Sequence, residues 1–234
     1  MKRIYFILAL SFVCRCGLTQ VYYWQTYNTS NSGIAGNLVS SLAFDSYHGL
    51  WVANECGGLN YFLNGRWIHY GSVAECITSI KIDGAGNKWL GTFEGLKKFD
   101  GTYWTTYSTS NSAIPGITVL TVEIDLEGNI WVGTYNGVGK FDGSTWQVYN
   151  TGNSTLRNNQ VNKILCDSQG RIWVGTQDGL SSFINGTWTG YDPSNSTLFY
   201  SGIIFDIAED GYGRIWVAES TELHKFENET WHKY

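Results

Sequence analysis

Tryptophan falls on two interlocked periods in this chain, and that periodicity restricts the fold more than any other feature. One series runs Trp24, Trp67, Trp104, Trp146, Trp188 and Trp231; the other runs Trp51, Trp89, Trp131, Trp173 and Trp216. Successive members lie 37–43 residues apart, and together the two series account for all 11 Trp among 234 residues. Around the second series the chain reads DSYHGLWVAN, DGAGNKWLGT, DLEGNIWVGT, DSQGRIWVGT and DGYGRIWVAE. Around the first it reads NGRWIHY, GTYWTTY, GSTWQVY, NGTWTGY and NETWHKY. A fixed period of this length marks a supersecondary unit that buries its apolar face by stacking on like neighbours.

Each copy resolves into four short β-signals. The first opens on a β-branched residue and ends at Asp45, Asp83, Asp125, Asp167 or Asp210. A Gly-containing turn leads to the W-V-G-T run. A second turn, ending in Gly58, Gly95, Gly137 or Gly179, opens a third strand carrying Phe62, Phe99, Phe141, Phe183 or Phe226. Turns such as Asp100-Gly101 and Asn185-Gly186 then lead to the W-x-x-Y strand. Asn-Gly and Asp-Gly favour hairpins because both central residues accept positive φ. Four antiparallel strands per copy predict an all-β protein: a β-propeller of five four-stranded blades. The blades are expected at about 38–70, 76–107, 117–149, 160–191 and 202–234, within one domain spanning 20–234. Val21–Tyr27 adds an extra outer-type strand, expected to lie against the last blade and close the ring; a fragment of a larger ring, or closure through a partner chain, is the alternative. The repeated Asp is expected to accept amide hydrogen bonds within its own turn. A calcium role is disfavoured because the D-x-[DN]-x-[DN]-G loop with a distant Glu does not occur.

Composition agrees with this reading. Charged residues make up 15% of the chain, and Gly numbers 28 against 2 Pro, which suits tight turns between strands rather than coiled coil or disorder. A formal net charge of −5 argues against a nucleic-acid partner, which needs a basic face. At the N-terminus, Lys2 and Arg3 precede the apolar run Ile4–Val13, which is too short to span a bilayer. Residues 1–19 are read as a signal peptide, giving an exported protein, periplasmic, cell-surface or secreted. Acylation of Cys14 or Cys16 is the alternative, disfavoured by Val13 and Arg15 beside them. No later stretch is apolar and long enough to cross a membrane as a helix.

The segment NTGNSTLRNNQVNKILCDSQGRIWVGTQDGLSSF, residues 150–183, resembles the two-component regulator propeller repeat, and the resemblance extends over nearly all of 24–234. In that family such repeats build extracytoplasmic propellers, often the sensor half of a membrane receptor that detects glycan fragments. The resemblance therefore implies a ligand-sensing role.

Within a propeller, the turns joining second to third strands share a face with the loops that enter each first strand. Repeating residues on that face, such as Thr29-Ser30-Asn31-Ser32 and Thr109-Ser110-Asn111-Ser112, are expected to close their own turns. The varying residues carry more information about ligand: Glu55, Phe93 and Glu94, Tyr135 and Asn136, Gln177 and Asp178. Aromatic faces beside carboxylates and amides are what sugar recognition uses. Cys56 and Cys76 are expected to form a disulfide across neighbouring blades, with Cys166 an apolar filler. The four His show no zinc-ligand spacing, and no nucleophile elbow or P-loop occurs. His224 and Glu222, on one face of a strand, come nearest to the His and Glu of a metal-assisted lyase, but read as blade-edge polar residues. The expected function is non-enzymatic binding of carbohydrate or a similar polar ligand, without cofactor or metal. A protein-interaction scaffold is the alternative, and a propeller lyase ranks last.

Overall fold

The structure is a computed structural model describing residues 25–70, 76–192, 196, 202–220 and 222–234. The signal-peptide expectation and Val21–Trp24 lie outside the described residues. All the regular elements described are strands. They are β1 (Val39–Phe44), β2 (Leu50–Asn54), β3 (Gly58–Leu63), β4 (Arg66–Tyr70), β5 (Ile77–Ile82), β6 (Lys88–Thr92), β7 (Gly95–Phe99) and β8 (Trp104–Tyr107). The series continues with β9 (Val119–Ile124), β10 (Ile130–Thr134), β11 (Gly137–Phe141), β12 (Trp146–Tyr149), β13 (Val161–Cys166) and β14 (Ile172–Thr176). It ends with β15 (Gly179–Ile184), β16 (Thr187–Tyr191), β17 (Ile204–Glu209), β18 (Ile215–Glu219), β19 (Leu223–Glu227) and β20 (Thr230–Lys233). They form five four-stranded sheets, each a meander of consecutive strands. This is the propeller-blade pattern read from the repeat.

The first turn of every sheet is fixed by its Asp. In the third sheet, Asp125 Oδ1 accepts the amides of Glu127 at 3.1 Å and Asn129 at 2.8 Å. Its Oδ2 accepts the indole N–H of Trp131 at 2.8 Å. The indole bond recurs from Trp51 to Asp45, Trp89 to Asp83, Trp173 to Asp167 and Trp216 to Asp210, at 2.8–3.0 Å. Thus one carboxylate both closes the turn and anchors the Trp six residues on. Burial works against ionisation of Asp45, but the Trp51 indole and the Gly49 amide hold its pKa below the ordinary value. At Asp83, burial is likewise outweighed by hydrogen bonds from Asn87 and Trp89. Both oxygens of these carboxylates thus accept donors from their own turns.

The chain divides into two compact units, residues 1–77 and 78–234. In the first, the β1–β4 sheet buries Leu50, Val52 and Phe62 with Ile34 from the preceding loop. Tyr27 seats on Phe62 and Trp67, with ring centroids 5.3 and 5.5 Å away. Trp24–Tyr27 has the W-x-x-Y form of the outer strands, and Tyr27 packs on this sheet as Tyr107 packs on Phe141 and Trp146. Tyr61 donates to Asp45, and burial together with that carboxylate pushes its phenol pKa up to about 12. A disulfide joins Cys56, in the β2–β3 turn, to Cys76 immediately before β5.

In the second unit, successive sheets stack through repeated aromatic contacts. Tyr149 of one sheet meets Phe183 and Trp188 of the next at 5.6 and 5.2 Å. Trp173 meets Phe226 at 5.2 Å. The clusters Trp131–Val138–Ile164–Ile172–Val174 and Trp173–Leu180–Ile207–Ile215–Val217 each span two sheets. A buried Trp of about 150–250 Å² contributes roughly 4–6 kcal/mol of gross transfer free energy at about 25 cal/mol per Å². The glycine of W-V-G-T permits this approach: a Cβ on Gly175 would lie 2.5 Å from Ile204 Cγ2. Cys166 sits partly buried beside one of these clusters, and burial raises its thiol pKa to about 11.

Candidate functional site

The residues predicted to bind ligand all lie at the tips of second-to-third-strand hairpins. Glu55 belongs to the first unit. Phe93 and Glu94 lie between β6 and β7, Tyr135 and Asn136 between β10 and β11, and Gln177 and Asp178 between β14 and β15. The hairpins are closed from within. Thr134 Oγ1 accepts the Asn136 amide at 3.0 Å and donates to the Gly137 carbonyl at 3.0 Å. Thr92 and Thr176 do the same for Glu94 and Asp178. Each tip is thus a rigid pedestal, and its outward side chain is not needed to hold the turn. Phe93 is 48% exposed and Tyr135 52% exposed.

The entry loops meet these tips as expected. The Gln177 amide donates to the Gln160 carbonyl at 3.0 Å, and Gln160 Nε2 donates to Gln177 Oε1 at 3.2 Å. Gly137 N–H donates to Asn159 O at 2.8 Å. Among the described residues, however, no hydrogen bond or ring contact joins Phe93, Tyr135 and Gln177 to one another. They form a row of separate positions on consecutive hairpins.

The repeating loop residues are structural. Asn153 Oδ1 accepts the Asn150 amide at 2.8 Å, and its Nδ2 donates to the Val148 carbonyl at 3.0 Å. Asn31 and Asn111 make the same pair of bonds. Both ends of each amide are engaged, so these loops close themselves.

Among the described residues, three cavities open elsewhere. One of about 430 Å³ lies between the third and fourth sheets, lined by Asp125, Trp131, Lys140, Gln147, Tyr149 and Phe183 among others. A smaller one of about 210 Å³ repeats the arrangement one sheet on, with Arg171, Trp173, Arg214 and Phe226. Both lie at the Asp-turn end of the sheets. A third, of about 460 Å³, is bounded by Arg157, Trp188 and Asp192. None of these three is lined by Phe93, Tyr135 or Gln177.

His224 departs from its expected place. Read as a blade-edge residue, it is instead fully buried, with Nε2 3.1 Å from Glu219 Oε2 and 3.5 Å from Glu222 Oε2. Strand alternation pairs Glu222 with His224, but Glu219 arrives from the facing strand β18. Its signal in the sequence was the change from W-V-G-T to W-V-A-E.

Comparison with solved structures places this fold. The extracellular domain of a putative hybrid two component system from B. thetaiotaomicron superposes with a TM-score of 0.78 at 22% identity, over 97% of this chain and 34% of that one. That of a putative one component system from the same organism gives 0.72 at 20% identity, over 92% and 31%. Virginiamycin B lyase from Staphylococcus aureus gives 0.68 at 12% identity, over 89% and 72%. The chain therefore spans about a third of the length of the extracellular domains it resembles. No curated protein matches it in sequence. A family model described as two component regulator propeller matches residues 155–178, a stretch similar to that repeat set among five sheets of one design.

Proposed function

We propose that this chain is an extracytoplasmic, non-catalytic propeller module that binds a polar ligand, carbohydrate in class, on its second-to-third-strand hairpin tips. The observation that carries the reading is the pairing of half-exposed Phe93 and Tyr135 with hairpins whose backbone is already closed by Thr92 and Thr134. An aromatic face held on a rigid turn covers sugar C–H groups at little cost in ordering. Glu94, Asn136, Gln177 and Asp178 supply acceptors and donors for hydroxyls. Export is supported by the resemblance to extracellular domains and by the apolar N-terminal run; among the described residues no helix is long and apolar enough to cross a membrane.

A glycan-array screen of the purified chain tests this, with Phe93→Ala and Tyr135→Ala as controls. Binding to a defined glycan set, weakened in both variants with unchanged folding, is the expected result. A second reading, a docking scaffold for a surface protein, draws on the exposed Phe44 and Tyr47 of the first unit. No glycan binding, together with co-purification of one surface protein that Phe44→Ser abolishes, would replace the first reading with this one.

A further inference from the structure

Three departures from the repeat coincide in the β17–β20 sheet. Glu219 stands where the other sheets have Asn54, Thr92, Thr134 and Thr176. Glu222 stands where they have Gly58, Gly95, Gly137 and Gly179, and His224 where they have Asn60, Lys97, Gly139 and Ser181. Each change introduces a metal-ligating side chain, and the three converge on one point. We propose that Glu219, Glu222 and His224 form a binding site for one divalent transition-metal cation of the Zn²⁺ type. It uses none of the residues proposed for the hairpin-tip ligand, although Glu219 and Glu222 flank the β18–β19 hairpin.

The donor set and its spacing carry the argument. Imidazole with two carboxylates is a combination that suits Zn²⁺ and its neighbours in the first transition row. Bonds of about 2.0–2.1 Å in tetrahedral geometry put adjacent donors roughly 3.3 Å apart. His224 Nε2 lies 3.1 Å from one carboxylate oxygen and 3.5 Å from the other, on either side of that spacing. All three donor atoms fall within 4.8 Å of one another. A structural His–Glu hydrogen bond would account for Glu219 alone. An ion pair with Lys233 accounts for Oε1 of the second carboxylate but not for Oε2, which faces the same ring nitrogen.

The surroundings fit a ligand set held in place. The His224 ring has no exposed surface, so its direction is fixed by packing. Lys233 Nζ pairs with Glu222 Oε1, which leaves Oε2 facing His224. Such outer partners orient ligands. On the other side, a Cβ on Gly202 would lie 1.3 Å from Glu219 Oε1, so the absence of a side chain there makes room for the carboxylate. Beside the imidazole, two carboxylates face one lysine.

Calorimetric titration of the chelator-treated chain with Zn²⁺ tests the proposal, alongside Glu219→Thr, Glu222→Gln, His224→Gln and Lys233→Met. One equivalent is expected to bind. Loss of a single ligand should weaken it about tenfold or more, as disturbance of even outer partners costs about that much. Lys233→Met removes the outer partner that orients Glu222 and should weaken binding too, by no more than loss of Glu222 itself. Glu219→Thr restores the residue of three other sheets, so circular dichroism should show it folded even where buried His224→Gln is not. No binding by the folded chain would overturn the site. So would binding unchanged in Glu219→Thr and Glu222→Gln, which would place the ion on His48, His69 or His232.

Discussion

Replacing Asp167 with Ala tests whether the repeated Asp–Trp bond is a main support of each sheet. The carboxylate accepts the Gln169 amide at 3.0 Å, the Arg171 amide at 2.9 Å and the Trp173 indole at 2.8 Å. Trp173 has no exposed surface, so its N–H cannot turn to water once the carboxylate is gone. An orphaned buried donor costs about 1–3 kcal/mol, and each turn amide that water can reach costs about 0.5–1.5 kcal/mol. The loss is therefore about 2–6 kcal/mol. The middle of that range lowers Tm by roughly 8–16 °C in a chain of this size. Asp210→Ala serves as the internal control. It removes the same three bonds, to the Tyr212 and Arg214 amides and the Trp216 indole, and also a partly exposed ion pair with Arg214 Nε, but at a corner where Trp216 is half-buried and water can replace the carboxylate. Thermal unfolding followed by tryptophan fluorescence should show a clearly larger drop for Asp167→Ala. Equal drops in the two variants, or a loss at Asp167 of only about 2 °C, would refute the reasoning.

Three further outcomes follow from other parts of the structure. Gly175→Ala forces a methyl to within 2.5 Å of Ile204 Cγ2 and should cost about 1–3 kcal/mol by overpacking, read from urea unfolding; Gly143→Ala, which meets no atom within 4 Å, isolates the backbone effect of losing a glycine at positive φ. Reduction of Cys56–Cys76, which closes a loop with a separation of 20 residues, should cost about 3 kcal/mol, seen as a lower Tm in dithiothreitol that Cys56→Ser reproduces without reductant. Asp142 is held down to about 2, first by the Thr145 amide, then by the Thr145 hydroxyl and the Ser144 amide. A depressed folded-state pKa stabilises the fold above the ordinary value near 3.8, and that share is lost as pH falls toward about 2; Asp142→Asn, which never carries it, should be less stable at pH 7 and converge on the parent chain as pH falls through this window.

The strands were legible because period-two patterning and Asn-Gly or Asp-Gly turns are local signals. The row of hairpin-tip residues was legible for the same reason, since a repeat aligns its own loops. The contacts that organise the sheets were less visible. The sequence shows Asp six residues before Trp, and a turn role for Asp follows from its chemistry alone. That the other oxygen reaches the indole depends on the twist of the hairpin and on which face Trp takes, which no single residue states. Burial of His224 was missed for a related reason. Alternation on β19 identifies Glu222 as its neighbour, but Glu219 comes from β18, and the meeting of the three depends on the register Ala218↔Leu223 across the hairpin. The cavities along the Asp turns escaped because their walls are repeat residues, already assigned to structure.

That last point bears on how function is read in any repeat protein. A residue repeated in every unit has had its polar atoms matched to the unit itself, as both oxygens of Asp125 and both ends of the Asn153 amide are here. Whatever such a residue could offer a ligand is already in use. A departure from the repeat leaves a side chain whose chemistry the common design does not require. Phe93 and Tyr135 depart singly, on turns that Thr92 and Thr134 hold without them, and so present separate surfaces. Glu219, Glu222 and His224 depart together and bring their polar atoms within 4.8 Å of one another, and so form a clustered site. Single departures thus suit an extended ligand that touches several hairpins, whereas convergent departures suit a small one held at a point. The two predictions can fail independently, because no residue serves both.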